Sequence, residues 1–215
     1  MSSETGRTPL DITVVSDVIC PWCFIGSRRL GQVLETVRDE IEPAIHYRPF
    51  LLDPSVPPEG ADLRDRLRRK YGADPEAMFV RIEEAARQTG IPLDFTHVRR
   101  TPNTIAAHTL LRHAEPRGTQ LALSDALFNA YFLDGQDIGQ ADVLASIAAG
   151  HGFTPEEVLV LLADDRERAA TRAEAETAAR AGISGVPYFV FGNRVAFSGA
   201  QPAHVFRAAI AQALA

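Results

Sequence analysis

The chain has 215 residues, of which 46% are hydrophobic and 23% are charged, a composition typical of a globular protein rather than a disordered or fibrous one. Its apolar runs are all shorter than the roughly 18 residues of a transmembrane helix, and its polar N-terminus lacks the basic and apolar segments of a secretory signal. The net charge of −6 argues against a general nucleic-acid binder. We therefore expect a cytoplasmic protein with no membrane or nucleic-acid partner.

The first part of the chain alternates between strand and helix patterns. The β-branched run at residues 11–15 predicts a strand, and apolar residues at helical spacing after Pro21 predict a helix. Proline is favoured at the first position of a helix, because its missing N–H would be unpaired there. Residues 44–51 predict a second strand. Together these elements form a β-α-β unit, for which parallel strands and a right-handed crossover are expected.

A helical pattern then runs from residue 53 to residue 164. Helices are predicted to begin or end at Pro75, Gly90, Pro102, Gly135 and Gly150. The Thr-Pro-Glu-Glu sequence at residues 154–157 is a capping box, which begins another helix. This segment is therefore predicted to be an all-helical insertion.

The last part of the chain returns to a mixed pattern. A long helix rich in Ala, Arg and Glu is predicted over residues 165–181, with Gly182 as its cap. Strands are predicted at 188–191 and 194–198, and Gly192-Asn193 predicts a type II′ hairpin between them. Pro202 begins a final helix. The order predicts an α/β domain made of residues 1–52 and 165–215, interrupted by the insertion at 53–164.

Cys20 and Cys23 are the only cysteines, and they lie three positions apart where the first strand gives way to the helix. This spacing beside a β-α-β pattern is typical of a thioredoxin-like redox centre. The free N–H groups and the positive dipole end at a helix start favour the thiolate, which is the reactive form of Cys20. Cys23, one turn further, is positioned to attack a mixed disulfide and release the substrate.

Other interpretations of the cysteine pair are a metal site and a pair of inert buried thiols. A zinc site needs about four ligands, but the chain has no second Cys-x-x-Cys and its six histidines show no ligand spacing. No metal is therefore expected. Inert cysteines pack like small hydrophobic residues, and the placement of this pair at a strand-helix junction argues against that interpretation.

Three other side chains are weaker candidates for a role in the cysteine chemistry or in substrate binding. Asp17 precedes Cys20 by three residues, and it either relays the Cys23 proton or forms a turn or helix cap. Trp22 lies between the cysteines and is available for substrate contact. His108 lies on an apolar helix face, in the core or on the wall of a groove. The five basic residues at 64–70 are interleaved with Asp62 and Asp65 and predict a solvated helix face rather than a nucleic-acid patch.

Several further motifs extend the pattern over nearly the whole chain. They are Ser16-Asp17, Cys20-Pro21-Trp22-Cys23, Pro49-Phe50-Leu51, Asn103-Thr104, Ala107-His108, Gly185-Val186-Pro187-Tyr188-Phe189 and Ser198-Gly199-Ala200-Gln201. With these motifs the chain resembles the DsbA-like branch of the thioredoxin superfamily, and within it the cytoplasmic FrnE-like oxidoreductases. It is also similar to the 2-hydroxychromene-2-carboxylate isomerases and the kappa-class glutathione transferases.

The resemblance implies a thioredoxin-like fold in which Cys20 is the attacking thiol and Cys23 the resolving thiol. It implies a cis Val186-Pro187 bond beside the cysteines, with the Val186 backbone holding an extended substrate by strand addition. It also implies supporting roles around the cysteines and a substrate groove. The supporting residues are Asp17, Pro21, Trp22, Val186 and Pro187, and the groove residues are Phe50, Asn103, His108 and Gln201.

The function expected from these features is thiol–disulfide oxidoreductase. The related isomerases and transferases commonly carry Ser where Cys20 stands, so the presence of both cysteines favours dithiol chemistry. We expect no cofactor beyond the Cys20–Cys23 disulfide, with glutathione as a candidate ligand. Protein or small-molecule thiols and disulfides are the expected substrates, and the chain is expected to be a monomer or a homodimer.

Two alternatives remain open from the sequence. One is a glutathione-dependent isomerase or transferase with a vestigial cysteine pair, and the other is a non-catalytic, chaperone-like binder of unfolded chains. In the oxidoreductase interpretation, we expect the helical insertion to form the wall that faces the cysteines and to set substrate choice.

Overall fold

The structure is a computed structural model that describes residues 6–215. Its elements in chain order are β1 (Thr8–Ser16), α1 (Pro21–Thr36), β2 (Ile41–Pro49), β3 (Ala61–Asp62), α2 (Leu63–Tyr71), α3 (Glu76–Arg87), β4 (Arg100–Thr101), α4 (Ile105–Ala114), α5 (Gln120–Phe132), α6 (Ala141–Ala149), α7 (Pro155–Ala163), α8 (Asp165–Arg180), β5 (Tyr188–Phe191), β6 (Val195–Ser198) and α9 (Ala203–Leu214). Over this range, every helix is too short or too polar to cross a membrane.

The main sheet has the strand order β2-β1-β5-β6. β1 and β2 are parallel, as predicted for the β-α-β unit, whereas β5 is antiparallel to both β1 and β6. Alternate apolar residues of β1 and β5 point to one face, where they pack against α1 and α9. This mixed α/β arrangement confirms the predicted fold class.

A second core lies between α1 and the helices that follow β2. Phe24 of α1 stacks on Phe128 and Phe132 of α5, with ring centroids 5.2 and 5.7 Å apart. Both cysteines belong to this second core, while the later turns of α1 belong to the first. The helical segment, which is the part of the chain between β2 and α8, contains only helices and loops apart from the two-residue ladder between β3 and β4. α1 therefore joins the helical segment to the sheet.

The sequence predicted where helices begin more accurately than where strands begin. α1 begins at Pro21 and α7 begins with the predicted capping box of Thr154 and Glu157. β1 and β2 each begin three residues earlier than the sequence predicts, because their parallel register pairs Thr8 with Ile41.

The predicted type II′ hairpin is wrong. Gly192 and Asn193 both have a φ of 56°, and a positive φ at both central positions defines a type I′ turn. Asn tolerates the left-handed conformation better than most residues with a side chain, so Gly-Asn is compatible with this turn. The last helix also differs slightly, since Pro202 is its N-cap rather than its first residue.

Candidate active site

Cys20 lies at the N-terminus of α1, where β1 passes into the helix through a tight turn. Its backbone N–H donates to the Asp17 carbonyl at 2.9 Å, and the residue is the N-cap of the helix. The Cys20 sulfur accepts the backbone N–H of Cys23 at 3.3 Å. A helix N-terminus with an N–H aimed at sulfur stabilises negative charge there, so this geometry suits a nucleophilic thiolate.

Cys23 lies one turn deeper and has no solvent-exposed surface. Burial raises the pKa of the Cys23 thiol well above its ordinary value, and the hydrogen bond and negative charge of Cys20 act in the same direction. The Ser16 hydroxyl and the Asp17 backbone act in the opposite direction. Both cysteines are free thiols. Both cysteines are thus buried, but Cys20 keeps 3% of its surface exposed whereas Cys23 keeps none.

The Val186-Pro187 peptide bond is cis, as the resemblance implied. The Cys20 thiol lies 3.7 Å from the Val186 carbonyl, to which it can donate a hydrogen bond. Pro187 packs against α1 at Gly26, where an added Cβ would lie 3.0 Å from the proline ring. The sequence interpretation did not single out Gly26. The signal it offers is a glycine within a helix, one turn after the second cysteine.

Asp17 and His108 form a buried pair beneath the cysteines. One carboxylate oxygen of Asp17 lies 3.2 Å from His108 Nε2, and the other accepts the Leu52 backbone N–H at 2.8 Å. Both side chains are almost fully buried. The Asp17 carboxylate therefore does not cap α1, and it ties the loop after β2 to the cysteine turn. His108 faces this interior pair rather than an open groove.

Two more of the predicted residues, Trp22 and Phe50, lie close to the cysteine turn. Trp22 is 40% exposed, which leaves its ring available to a substrate. The Phe50 backbone N–H donates to the Ser16 carbonyl at 2.9 Å, which brings the end of β2 beside the cysteine turn.

The amides of Asn103 and Gln201 bind their own chain. Asn103 donates to the Val56 carbonyl at 2.8 Å and accepts the Ile105 N–H at 3.1 Å, at the start of α4. The Gln201 side chain donates to the Ser198 carbonyl at 2.9 Å. In this structure both amides hold loops, and their predicted contact with a substrate stays a prediction.

The basic residues of α2 are not uniformly solvated, contrary to the sequence interpretation. Arg66 is mostly buried and binds Asp53 and Ser55, which ties α2 to the loop after β2. Arg68 and Lys70 are exposed, as expected for a surface helix. Among residues 6–215, His, Cys, Asp and Glu side chains form no group of three or more that could hold a metal ion.

Comparison with known proteins places this geometry in a family. The DSBA-like thioredoxin domain model matches residues 11–211. The chain belongs to the DsbA-like thioredoxin domain family. It is 32% identical to a probable DsbA oxidoreductase, SCO1869 from Streptomyces coelicolor, with a TM-score of 0.86 over 95% of this chain and 90% of that one.

Two other relatives widen the comparison. The uncharacterized protein YwbO of Bacillus subtilis is 27% identical over 206 residues, which cover 93% of this chain and 94% of YwbO. The cytosolic disulfide reductase DsbM from Pseudomonas aeruginosa, solved with GSH, shares the fold at 18% identity, with a TM-score of 0.63 over 95% of this chain and 98% of that one. Of these three proteins, SCO1869 is named as a probable oxidoreductase and DsbM as a disulfide reductase, whereas the name of YwbO gives no activity.

Proposed function

We propose that this DsbA-like protein is a thiol–disulfide oxidoreductase that works through the Cys20-Pro21-Trp22-Cys23 centre. The observation that carries the proposal is the asymmetry of the two thiols. Cys20 is the N-cap of α1, with an N–H aimed at its sulfur, and Cys23 is buried directly behind it. This arrangement supplies one attacking thiol and one protected resolving thiol.

The reaction runs in two displacement steps. The Cys20 thiolate attacks one sulfur of a substrate disulfide, a Cys20–substrate bond forms, and the other substrate sulfur leaves as a thiolate with the bonding electron pair. Cys23 then loses its proton and attacks the Cys20 sulfur, which releases the second substrate thiolate. The substrate gains two electrons, and the protein is left with a Cys20–Cys23 disulfide. The same steps in reverse oxidise a substrate dithiol.

The surface beside Cys20 suits an extended thiol or disulfide substrate. The Val186 carbonyl lies 3.7 Å from the Cys20 sulfur, and Trp22, two positions after Cys20, offers an exposed ring. A backbone carbonyl that pairs with an extended chain and an aromatic surface together favour a peptide-like substrate. The glutathione in the DsbM structure supports glutathione as a thiol that returns the oxidised protein to its dithiol form in the cytoplasm.

The proposal is tested by trapping the mixed disulfide. A Cys23→Ser protein incubated with a disulfide peptide is expected to accumulate a covalent adduct at Cys20, detected by intact mass. The wild-type protein is expected to release both thiols, and Cys20→Ser is expected to form no adduct. A Cys20→Ser protein that still reduces the peptide would refute the proposal. Tight glutathione binding with full isomerase or transferase activity in Cys23→Ser would favour that alternative instead.

A further inference from the structure

A short loop after β6 connects the cysteine helix to the segment that carries Pro187. Residues 199–201 form this connecting loop, which lies between β6 and α9. The Gly199 N–H donates to the Pro187 carbonyl at 2.8 Å. Ala200 packs against the core that contains both cysteines. The connecting loop is therefore in contact with the Pro187 segment and with the core around the cysteines.

Arg29 of α1 binds the connecting loop through its main chain. The guanidinium donates to the Ala200 carbonyl, and the Gln201 carbonyl lies 3.5 Å from the same nitrogen. Burial lowers the pKa of this guanidinium, and no carboxylate acts on it in the opposite direction. Arg29 therefore holds the loop through backbone carbonyls, and replacing it leaves no acidic side chain without its partner.

Hydrogen bonds within the connecting loop link this attachment to the backbone beside Pro187. The Gln201 backbone N–H donates to the Gly199 carbonyl at 2.8 Å, and the Gln201 side chain donates to the Ser198 carbonyl at 2.9 Å. Ser198 is paired in the sheet with Tyr188, the residue after Pro187. The position of the carbonyls that Arg29 binds is thus coupled to the position of the Pro187 segment.

The same helix also contacts this segment directly. Gly26, three positions before Arg29 and on the same side of α1, packs against Pro187. The Cys20 thiol lies 3.7 Å from the Val186 carbonyl. The Val186–Pro187 segment is therefore held against α1 from two sides, by direct contact near the cysteines and by the loop that Arg29 binds.

We propose that Arg29 is a positioning residue that keeps the Val186 backbone in register with Cys20. An extended peptide that pairs with this backbone then presents its disulfide to the Cys20 thiolate. Arg29 acts through the connecting loop, without contact with the reacting sulfurs. The protein consequently selects disulfides that carry an extended peptide backbone over disulfides that have none. This inference rests on the proposed oxidoreductase function and concerns its choice of substrate.

Two disulfides that differ in their backbone test this role. One is a linear peptide dimer joined by a single disulfide, and the other is 2-hydroxyethyl disulfide, which has no peptide group to pair. Single-turnover oxidation of the reduced protein, quenched and followed by the mass of its alkylated cysteines, gives a maximal rate and a half-saturating concentration for each. If neither disulfide oxidises the wild-type protein, the proposed function itself fails, which is distinct from a failure of the role of Arg29.

Arg29→Met removes the guanidinium and keeps an unbranched apolar side chain in the helix. The ratio of the rate constant for the peptide to that for 2-hydroxyethyl disulfide should fall about tenfold, the effect of losing about one hydrogen bond in binding. Comparing this ratio between proteins cancels the intrinsic reactivity of each disulfide. The loss should appear in the half-saturating concentration of the peptide rather than in its maximal rate, because binding is weakened and Cys20 is left in place.

Gly199→Ala tests the other end of the connecting loop. Gly199 has a φ of 86°, which alanine rarely adopts, so the loop should shift away from the Pro187 carbonyl. The same ratio should fall in this variant. Because Gly199→Ala leaves α1 unchanged, it keeps the test open if Arg29→Met fails to fold.

The matched control is the neighbouring Arg28, which is exposed and lies over the Phe24 ring at 5.8 Å, away from the connecting loop. Arg28→Met should leave the ratio within about twofold of wild type, as expected for a surface change. An unchanged ratio in Arg29→Met, even with lowered stability, would overturn the proposal, because Arg29 would then only tie α1 to the start of α9. Equal slowing with both disulfides would overturn it as well, since it would show damage to the thiol rather than to peptide recognition.

Discussion

Cys20 and Cys23 differ in environment more than their spacing in the sequence indicates. The N-terminal position of Cys20 follows from the local strand-to-helix transition, and it was predicted from the sequence. Cys23 is completely buried in the core that also holds Phe128 of α5, whose ring stacks on the neighbouring Phe24. The burial of Cys23 therefore involves a segment more than a hundred positions away in the chain, which its local sequence does not show.

The burial of Cys23 predicts a pH dependence of stability. Its pKa is raised in the folded protein, so the folded state keeps a proton that the unfolded state loses above about pH 8.5. The contribution of this thiol is fully present below that pH and is lost as pH rises towards its folded pKa. The free energy of unfolding of the reduced protein should therefore fall by up to about 1.4 kcal/mol per pH unit above pH 8.5.

Denaturant melts of the reduced protein between pH 8 and pH 10, the range around that unfolded value, measure this effect. The reference is Cys23→Ala, which lacks the titrating thiol but retains Cys20 and all tyrosines. The wild-type protein should lose stability more steeply than this variant. Parallel curves for the two proteins would show that Cys23 titrates alike in the folded and unfolded states.

Gly26 gives a second prediction at the residue scale. An added Cβ would lie 3.0 Å from the Pro187 ring and 3.1 Å from Phe189, so α1 would have to shift away from the proline. Gly26→Ala should therefore lower the free energy of unfolding by about 1–3 kcal/mol, the usual cost of overpacking. Gly31 lies in the same helix, exposed, with no atom near its added Cβ.

The comparison between the two glycines separates packing from helix propensity. Gly31→Ala should stabilise the protein by about 0.5–1 kcal/mol, because alanine is the better helix former. Chemical denaturation of both variants provides the measurement. If both substitutions stabilise the protein, the contact between α1 and Pro187 is looser than the structure indicates.

At the scale of elements, β2 is an edge strand whose free side is largely blocked. The backbone N–H and C=O groups of the even-numbered residues face β1, as the hydrogen bond from the Phe50 N–H to the Ser16 carbonyl shows. The backbone groups of the odd-numbered residues point outwards, away from the sheet. Two outward positions, Pro43 and Pro49, have no N–H at all. At a third, the Tyr47 N–H donates to the Gln120 side chain. These features protect the edge from pairing with another strand.

Gln120 is predicted to contribute strongly to stability because it replaces a missing strand partner. Its amide accepts from the Tyr47 N–H at 2.8 Å and donates to the carbonyls of Tyr47 and Leu111, both at 3.1 Å. Gln120→Ala should lower the free energy of unfolding by about 3 kcal/mol, since each buried group left unpaired costs roughly 1–3 kcal/mol.

The control for this prediction is Gln212→Ala, an exposed change in α9 that should leave stability nearly unaltered. Urea melts of the two variants give the free energies. Equal stabilities would mean that water replaces the amide of Gln120 without cost. Increased self-association of Gln120→Ala, measured by light scattering, would show in addition that the blocked edge limits strand pairing.

The elements also show which parts of the site were predictable. The capping box of α7 and the cysteine pair at the start of α1 are each local features of the sequence, so their local chemistry predicted their structure. The cis Val186-Pro187 bond was expected from the family resemblance and not from local chemistry. Gly26 and Gln120 were not recognised, because their importance arises from contacts with distant segments. The predicted bounds of the second strand, residues 44–51, differ from the observed β2 (Ile41–Pro49) for the same reason, because pairing with the distant strand β1 sets where β2 begins and ends.

At the scale of the whole molecule, the helical segment and the sheet are joined through α1. Cys20, Cys23 and Phe24 on one part of this helix belong to the core of the helical segment, whereas Leu30 and Val33 belong to the core beneath the sheet. A helix shared by two cores couples their stability. We therefore expect the protein to unfold in one cooperative transition. The boundaries of the helical insertion domain, residues 53 and 164, stay a prediction.

Phe128 tests this coupling because it lies in the helical segment and stacks on α1 at 5.2 Å. Phe128→Ala should lower the free energy of unfolding by about 3–5 kcal/mol, the usual cost of removing a buried aromatic ring. The loss should appear equally when unfolding is followed by circular dichroism and by alkylation of Cys23, since both report one transition. Leu121→Ala, an exposed change on the same helix, should have little effect.

Two outcomes would contradict the cooperative view. Cys23 could become reactive at lower denaturant than the loss of circular dichroism, which would mean that the helical segment opens alone and the sheet remains folded. Alternatively, Phe128→Ala could destabilise the protein without increasing the reactivity of Cys23 under native conditions. Coincident transitions would instead show that the helical segment and the sheet unfold together, so that the stability of the whole protein limits how long Cys23 stays shielded from solvent oxidants.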